Sequence, residues 1–314
     1  MTHGLLLVNL GSPTSPDSTD VKSYLKEFLS DPNVIEMPKA IWQPILNGII
    51  LPTRSWRSST FYKHIWTKAG SPLIAYTKII RDNIRQNLPD WNIQMAMTYG
   101  QPDIVDTLQN MAKTCDEIVV LPLFPQYTQS SSKSIIDQAK SANVPIRIIE
   151  HFYEKPEYTK ILAAQIQPFL DSANYDQLLF SYHSIPTAMV KHGDPYQKQC
   201  LETTSKTIDQ LDFPEDKIKT VYQSKFGPMP WLKPYLKNEL NQLVAMGKRN
   251  VLIVTPSFVV DCLETLEEDN VQNYQSFKAS GGDEFKLVPP MNENPDFSKF
   301  LADLAQAKMN EVSD

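Results

Sequence analysis

At 314 residues the chain exceeds the usual size of one domain, so two domains sharing a cleft are expected. A net charge of −6 with no run of Lys or Arg leaves no basic face for phosphates, which excludes nucleic acid as a partner. The three cysteines Cys115, Cys200 and Cys262 form neither a CxxC pair nor a disulfide framework; this suits a reducing cytoplasm and falls short of the four thiolates of an iron–sulfur cluster.

The opening MTHGLLLVNLGSP lacks the basic flank and small-residue cleavage site of a signal peptide and reads as a first strand, Leu5–Leu10. The GSPTSP that follows has neither GxGxxG spacing nor a GK[ST] ending, so its backbone is not built to wrap a pyrophosphate. Asp17–Leu29 has the apolar spacing of a helix. Ile41–Pro52 (IWQPILNGIILP) is the most apolar stretch, but Pro44, Asn47 and Gly48 interrupt it well short of the ~18 residues that span a bilayer. Two readings stay open for it: a buried turn of core, or an exposed apolar lip that touches a membrane or a greasy ligand.

Further on, short β-branched runs alternate with amphipathic segments. The expected strands are Ile93–Tyr99, Glu117–Phe124, Pro145–Phe152, Gln177–His183, Lys219–Gln223, Asn250–Pro256 and Phe285–Val288. Between them the helical pattern marks Ile74–Leu88, Ile104–Ala112, Tyr158–Leu170, Tyr196–Leu211 and Pro234–Met246. Such alternation predicts an α/β fold of two similar doubly wound domains, each with a four-stranded parallel sheet flanked by helices. The polar break at Asp171–Tyr175 places the division at 1–172 and 173–314, with the C-terminal helix free to pack back on the first domain. LLVNLGSP echoes LFSYHSIP, and VVLPLF echoes IVTPSF, either as an internal repeat or as the common look of α/β strands.

Ligands of open parallel sheets bind beyond the carboxyl ends of the strands. Those ends deliver Leu10, Tyr99, Phe124, His183, Gln223–Ser224 and the segment after Phe258, a nearly uncharged and partly aromatic set that suits a large flat ligand. His183 closes an apolar strand ahead of a Ser-Ile-Pro turn; it is either a structural hydrogen-bonder or a base and metal ligand. Glu264, Glu267, Glu268 and Asp269 gather at the start of an expected helix with Asp261 as its N-cap. Either they complement the helix dipole, or they relay metal and protons between solvent and cleft. The loop Gln223–Leu232 ends near Trp231, as a cap on a core or as a wall for an aromatic ligand. Neither HExxH nor GxSxG occurs, so hydrolase and zinc-site readings lose their support.

Along nearly its whole length the sequence resembles the ferrochelatases. LLFSYHSIP followed by HGDPY, YQSKFGPMPWL and DCLETLEE carry the resemblance, with KEFLSD, GSPL and LPLFPQY in support. The resemblance implies insertion of Fe²⁺ into a porphyrin with release of two protons, His183 and Glu264 being the catalytic and metal-handling pair and Glu268 a candidate relay. It further implies a porphyrin pocket lined by Leu10, Tyr99, Gln223, Ser224 and Trp231, beneath a lip at 41–52 that admits peripheral membrane contact.

Cys262 stands where many relatives carry histidine, and proteobacterial members are similar in having cysteine there; Leu10 stands where the coproporphyrin-using branch places tyrosine. The expected partners are therefore protoporphyrin IX and Fe²⁺, in a monomeric, cytoplasmic enzyme of haem biosynthesis with no resident cofactor. The family's cysteine-bearing stretch after PQY reads Thr-Gln-Ser-Ser-Ser here, and no iron–sulfur cluster is expected. A cobalt chelatase of the corrin pathway and a non-catalytic haem carrier are the rival readings.

Overall fold

A computed structural model describes residues 2–311. Its chain separates into two compact units, one made of Met1–His151 with Asn292–Asp314, the other of Phe152–Met291. The division falls about twenty residues ahead of the polar break at 171–175, because the helix Pro156–Ser172 packs on the helix and sheet that follow it. Sequence composition marked a surface turn, not the change of core.

In the first unit the strands are β1 (His3–Gly11), β2 (Asn92–Tyr99), β3 (Glu117–Pro122) and β4 (Ile146–Ile148), all parallel, in the order β2-β1-β3-β4. Alternate side chains of the central strands face opposite layers. Leu6, Val8, Ile118 and Val120 join Ile104, Leu108, Met111, Ile135 and Ala139 in one cluster. Leu5, Leu7, Val119 and Leu121 point the other way and are equally buried, on the side where the helices Pro72–Asn87 and Pro295–Asn310 pack against β1 and β3. The last of these helices starts sharply: Asn294 Oδ1 accepts the N–H groups of Asp296 and Phe297, and Pro295 occupies the first turn.

Ile41–Pro52 lies in a helical run, Lys39–Ile45, a π-helical turn Leu46–Ile50, then Leu51–Ile65. Its two sequence readings divide between the faces: Trp42, Leu46 and Leu51 are buried, whereas Ile41 and Ile49 are exposed. Among the described residues no helix is long and apolar enough to cross a membrane.

In the second unit the strands are β5 (Gln177–His183), β6 (Ile218–Gln223), β7 (Asn250–Val254) and β8 (Glu284–Leu287), again parallel, in the order β6-β5-β7-β8. One face of the sheet packs Leu179, Val221, Val251 and Ile253 against Leu236, Leu240, Leu243 and Phe277. Truncating a buried leucine of this kind to alanine costs about 2–5 kcal/mol. Each unit repeats one strand order, and each has a π-helical turn after its third strand, Gln129–Lys133 after β3 and Glu264–Asn273 after β7. The sequence echo is thus matched by topology.

Candidate functional site

The second unit brings most of the expected residues together at the carboxyl ends of β5 and β6. His183 is the last residue of β5 and stands in register with Gln223, the last of β6. The strand pairing carries one step further, since the Ser184 N–H donates to the Gln223 carbonyl at 2.8 Å. His183 is half-buried, its ring edge-on to Phe258 with centroids 6.4 Å apart. Its Nδ1 lies 2.7 Å from the Ser184 carbonyl oxygen. A carbonyl only accepts, so Nδ1 carries a hydrogen, and in the neutral ring Nε2 is the nitrogen left to take a proton or a metal.

Ser224, just past β6, has φ +65°, a left-handed conformation that costs a side-chain-bearing residue about 1–2 kcal/mol. In that conformation both of its donors reach one carboxylate. Its N–H meets Glu268 Oε1 at 2.9 Å and its hydroxyl meets Oε2 at 2.5 Å. Burial raises the Glu268 pKa; the two Ser224 bonds and the nearby His183 oppose the rise, and the neighbouring Glu264 adds to it. Glu268 is thereby an acid that holds or releases a proton close to His183.

Asp269 sits deeper, with no solvent exposure. Its Oδ2 accepts from Gln223 Nε2 at 2.7 Å and its Oδ1 from Asn273 Nδ2 at 2.9 Å. Burial, then the adjacent Glu268 charge, pushes its pKa well above the ordinary carboxylate range, against those two bonds. Gln223 is only 3% exposed, and its Oε1 accepts from the Ser181 hydroxyl. Both the nitrogen and the oxygen of the Gln223 amide are thus engaged inside the protein.

The acidic run lies on a π-helix, Glu264–Asn273, not on an α-helix capped by Asp261. Leu263 holds the cap position, and Asp261 Oδ1 accepts from the Thr265 hydroxyl at 2.8 Å. Wider helical turns bring residues four and five apart onto one side, so Glu264, Glu268 and Asp269 remain neighbours. Glu264 is half-buried. Glu267 points elsewhere, buried and accepting from Gln272 Nε2 at 3.2 Å. Cys262 is buried, and burial followed by the adjacent Glu264 drives its thiol pKa well up.

Trp231 is half-buried and forms a bridge with Pro186, just after the His183 turn, and its indole N–H has no partner among the described residues. The loop is tied down again where the Leu232 N–H donates to the Ile185 carbonyl at 3.0 Å.

Leu10 and Tyr99 lie in the first unit, at the ends of β1 and β2. Between them Gly11 adopts φ +108°, and a Cβ there would fall 1.9 Å from the Tyr99 carbonyl oxygen, so only glycine fits. Leu10 is half-buried. Tyr99 is 2% exposed and donates its hydroxyl to Asp31 Oδ2 at 2.8 Å, burial and the Asp31 charge holding its pKa far above the usual phenol range. It borders an open pocket of about 430 Å³ whose other walls include Glu27, Asp31, Asn33, Asp137 and Gln138. This side of the sheet is acidic, contrary to the nearly uncharged set expected from the strand ends.

Sequence reasoning singled out His183, Ser224, Glu264 and Glu268 but gave Asp269 no role beyond its acidic run, and gave Ser181 and Asn273 none. The partner of Asp269 is 46 positions away, which no local pattern reveals.

A family model described as Ferrochelatase matches residues 2–309. A coproporphyrin III ferrochelatase of Lactiplantibacillus plantarum is 62% identical over 310 residues, spanning 98% of this chain and 96% of its own. One from Limosilactobacillus reuteri is 57% identical over 306 residues, spanning 98% and 99%. Among solved structures, the sirohydrochlorin chelatase SirB of Bacillus subtilis subspecies spizizenii, in complex with cobalt, superposes with a TM-score of 0.54. It is 11% identical, across 98% of this chain and 95% of that one. SirB of Bacillus subtilis with Fe3+ gives 0.56 at 10% identity, across 99% and 96%. At such identities the likeness is one of fold, a two-domain α/β chelatase fold.

Proposed function

We propose, for a chain that belongs to the ferrochelatase family and is accordingly a metal chelatase, that its substrates are Fe²⁺ and coproporphyrin III. The observation that carries the choice of porphyrin is the set of relatives at 57–62% identity, all named for coproporphyrin III. The expectation of protoporphyrin IX, and of a proteobacterial type, rested chiefly on the single residues Leu10 and Cys262, and it gives way to that whole-length similarity.

Metal insertion removes two pyrrole protons and lets Fe²⁺ reach the nitrogens from outside the macrocycle plane. In this reading His183 is the general base: its Nδ1 is committed to Ser184, and Nε2 takes a pyrrole proton. Glu264 acts on the opposite face, guiding Fe²⁺ or handing protons to Glu268. Ser224 holds the Glu268 carboxylate in one orientation for that transfer. Trp231 offers a flat surface to the ring. Fe²⁺ is a substrate, and no resident cofactor is invoked.

The exposed side of the helical run 39–65 adds a membrane-surface role to the lip. Ile41, Ile49 and Trp56 are 57%, 60% and 73% exposed. Between Glu36 and Asp82 there is no carboxylate, whereas Lys39, Arg54, Arg57, Lys63 and Lys68 are cationic. Apolar side chains flanked by cations suit an anionic lipid surface.

The test of the reaction is an anaerobic insertion assay with both porphyrins. Coproporphyrin III is expected to give a kcat/KM at least about tenfold higher, a difference of about 1.4 kcal/mol in transition-state stabilisation. Equal or better use of protoporphyrin IX overturns the substrate, and insertion of cobalt but not iron overturns the reaction.

A further inference from the structure

Asp269 is fully buried, and three hydrogen bonds, linked through the covalent frames of Gln223 and Ser184, connect it to His183. Asp269 Oδ2 accepts from Gln223 Nε2 at 2.7 Å. The main-chain carbonyl of Gln223 accepts the Ser184 N–H at 2.8 Å. The Ser184 carbonyl faces His183 Nδ1 at 2.7 Å. The far end is anchored as well, since Asn273 donates to Asp269 Oδ1 and Ser181, two residues before His183 on β5, donates to Gln223 Oε1. Asp269, Gln223, Ser181 and Asn273 are all buried, with exposures of 0%, 3%, 0% and 8%. Water does not substitute for a lost partner in such a place, and each orphaned group keeps its full desolvation penalty.

We infer that Asp269 is a positioning residue for His183, holding the imidazole in place and in its Nδ1–H tautomer through Gln223 and Ser184. The geometry gives the reason for two acids in succession. Glu268 grips Ser224, and Asp269 grips Gln223, so the π-helix is fastened to the end of β6 at two consecutive positions. β6 in turn carries the backbone carbonyl that sets the His183 turn. Without Asp269 the Gln223 side chain would lose its link to the π-helix, and the Ser184 carbonyl would lose a fixed aim at the ring. The inference rests on the reading of His183 as the proton acceptor.

The test uses Asp269→Leu, Asp269→Asn and the double variant Gln223→Leu/Asp269→Leu, which removes donor and acceptor of the central bond together, so that neither is left facing an apolar partner, while Ser181 and Asn273 lose their acceptors. Two readouts are taken on each full-length protein: the ring ¹⁵N shifts of His183, assigned by their loss in His183→Ala, in alkaline buffer; and porphyrin metallation with coproporphyrin III. Wild type is expected to show a single Nδ1–H tautomer. Asp269→Leu is expected to mix tautomers and lower kcat about tenfold or more, with porphyrin KM changed less than about threefold. Asp269→Asn keeps an oxygen for Gln223 and stays within about threefold of wild type. The double variant is no worse than Asp269→Leu, because the two residues act as one unit.

A folded Asp269→Leu or double variant with an unchanged tautomer and rate overturns the inference, as does an Asp269→Asn protein as impaired as the leucine variant. If wild type inserts no metal while the tautomer still depends on Asp269, the chelatase reading fails and the positioning role stands.

Discussion

Ser224 commits both of its donors to Glu268, the N–H at 2.9 Å and the hydroxyl at 2.5 Å, and adopts a left-handed backbone to do so. Donors aimed at a carboxylate favour its ionised form. Ser224→Gly keeps the N–H and relieves the backbone but removes the hydroxyl. The Glu268 pKa should then rise further. If Glu268 works ionised, the acid limb of the kcat/KM profile moves to higher pH. The relief of about 1–2 kcal/mol of backbone strain offsets much of the lost bond, about 1.5–3 kcal/mol for a charged acceptor, so stability should change little. An acid limb at its wild-type position would remove Glu268 from the reaction.

His183→Ala should lower kcat about 10²- to 10⁴-fold, the usual contribution of a positioned general base. The ring is half-buried at a strand end, so the fold should survive, which circular dichroism checks. A folded variant that metallates porphyrin at a near-normal rate would end the assignment of His183 as base.

Asp269 and Glu268 both hold protons to higher pH in the folded protein than in the unfolded chain. As pH rises from the ordinary carboxylate range toward the folded pKa values, the unfolded chain releases protons first, and stability is lost over that window. Asp269→Asn cannot ionise there. The gap in unfolding free energy between wild type and Asp269→Asn should therefore shift in favour of the variant with rising pH. Urea titrations across mildly acidic to neutral pH measure this. A constant gap would mean that Asp269 ionises alike in both states.

The protein should sediment with vesicles containing anionic phosphatidylglycerol and stay in solution with pure phosphatidylcholine. Added salt should weaken the association, since screening shortens the reach of Lys39, Arg57 and Lys63. Trp56→Ser, at a position 73% exposed, should lower binding without altering the melting temperature. Sedimentation that ignores lipid charge, or survives the loss of Trp56, would dismiss the lipid-surface role of this face.

Much of the architecture was legible because burial on two faces leaves uniformly apolar strands. Gln177–His183 was placed at its observed bounds for that reason. Pro145–Phe152 shrank to Ile146–Ile148, an edge strand that pairs with β3 only at Ile118–Val120. The run 39–65 was not read as a helix because Pro44 and Gly48 break the usual signal. A π-helical turn accommodates the extra residue, and apolar side chains stand on both its buried and its exposed face.

By itself the sequence determined the α/β class and the paired halves, and it singled out His183, Glu264, Glu268 and Ser224 as candidates, since strand burial and motif order are local properties of the chain. Tertiary structure alone decided what those residues do to one another. The tautomer of His183, the grip of Ser224 on Glu268 and the tie from Asp269 to Gln223 each depend on distances between segments 40 or more positions apart, or on a turn set by a neighbouring strand. Hydrogen bonds act over about 3 Å. Local patterning sets which face a residue takes, but only the packed fold brings donor and acceptor within that reach.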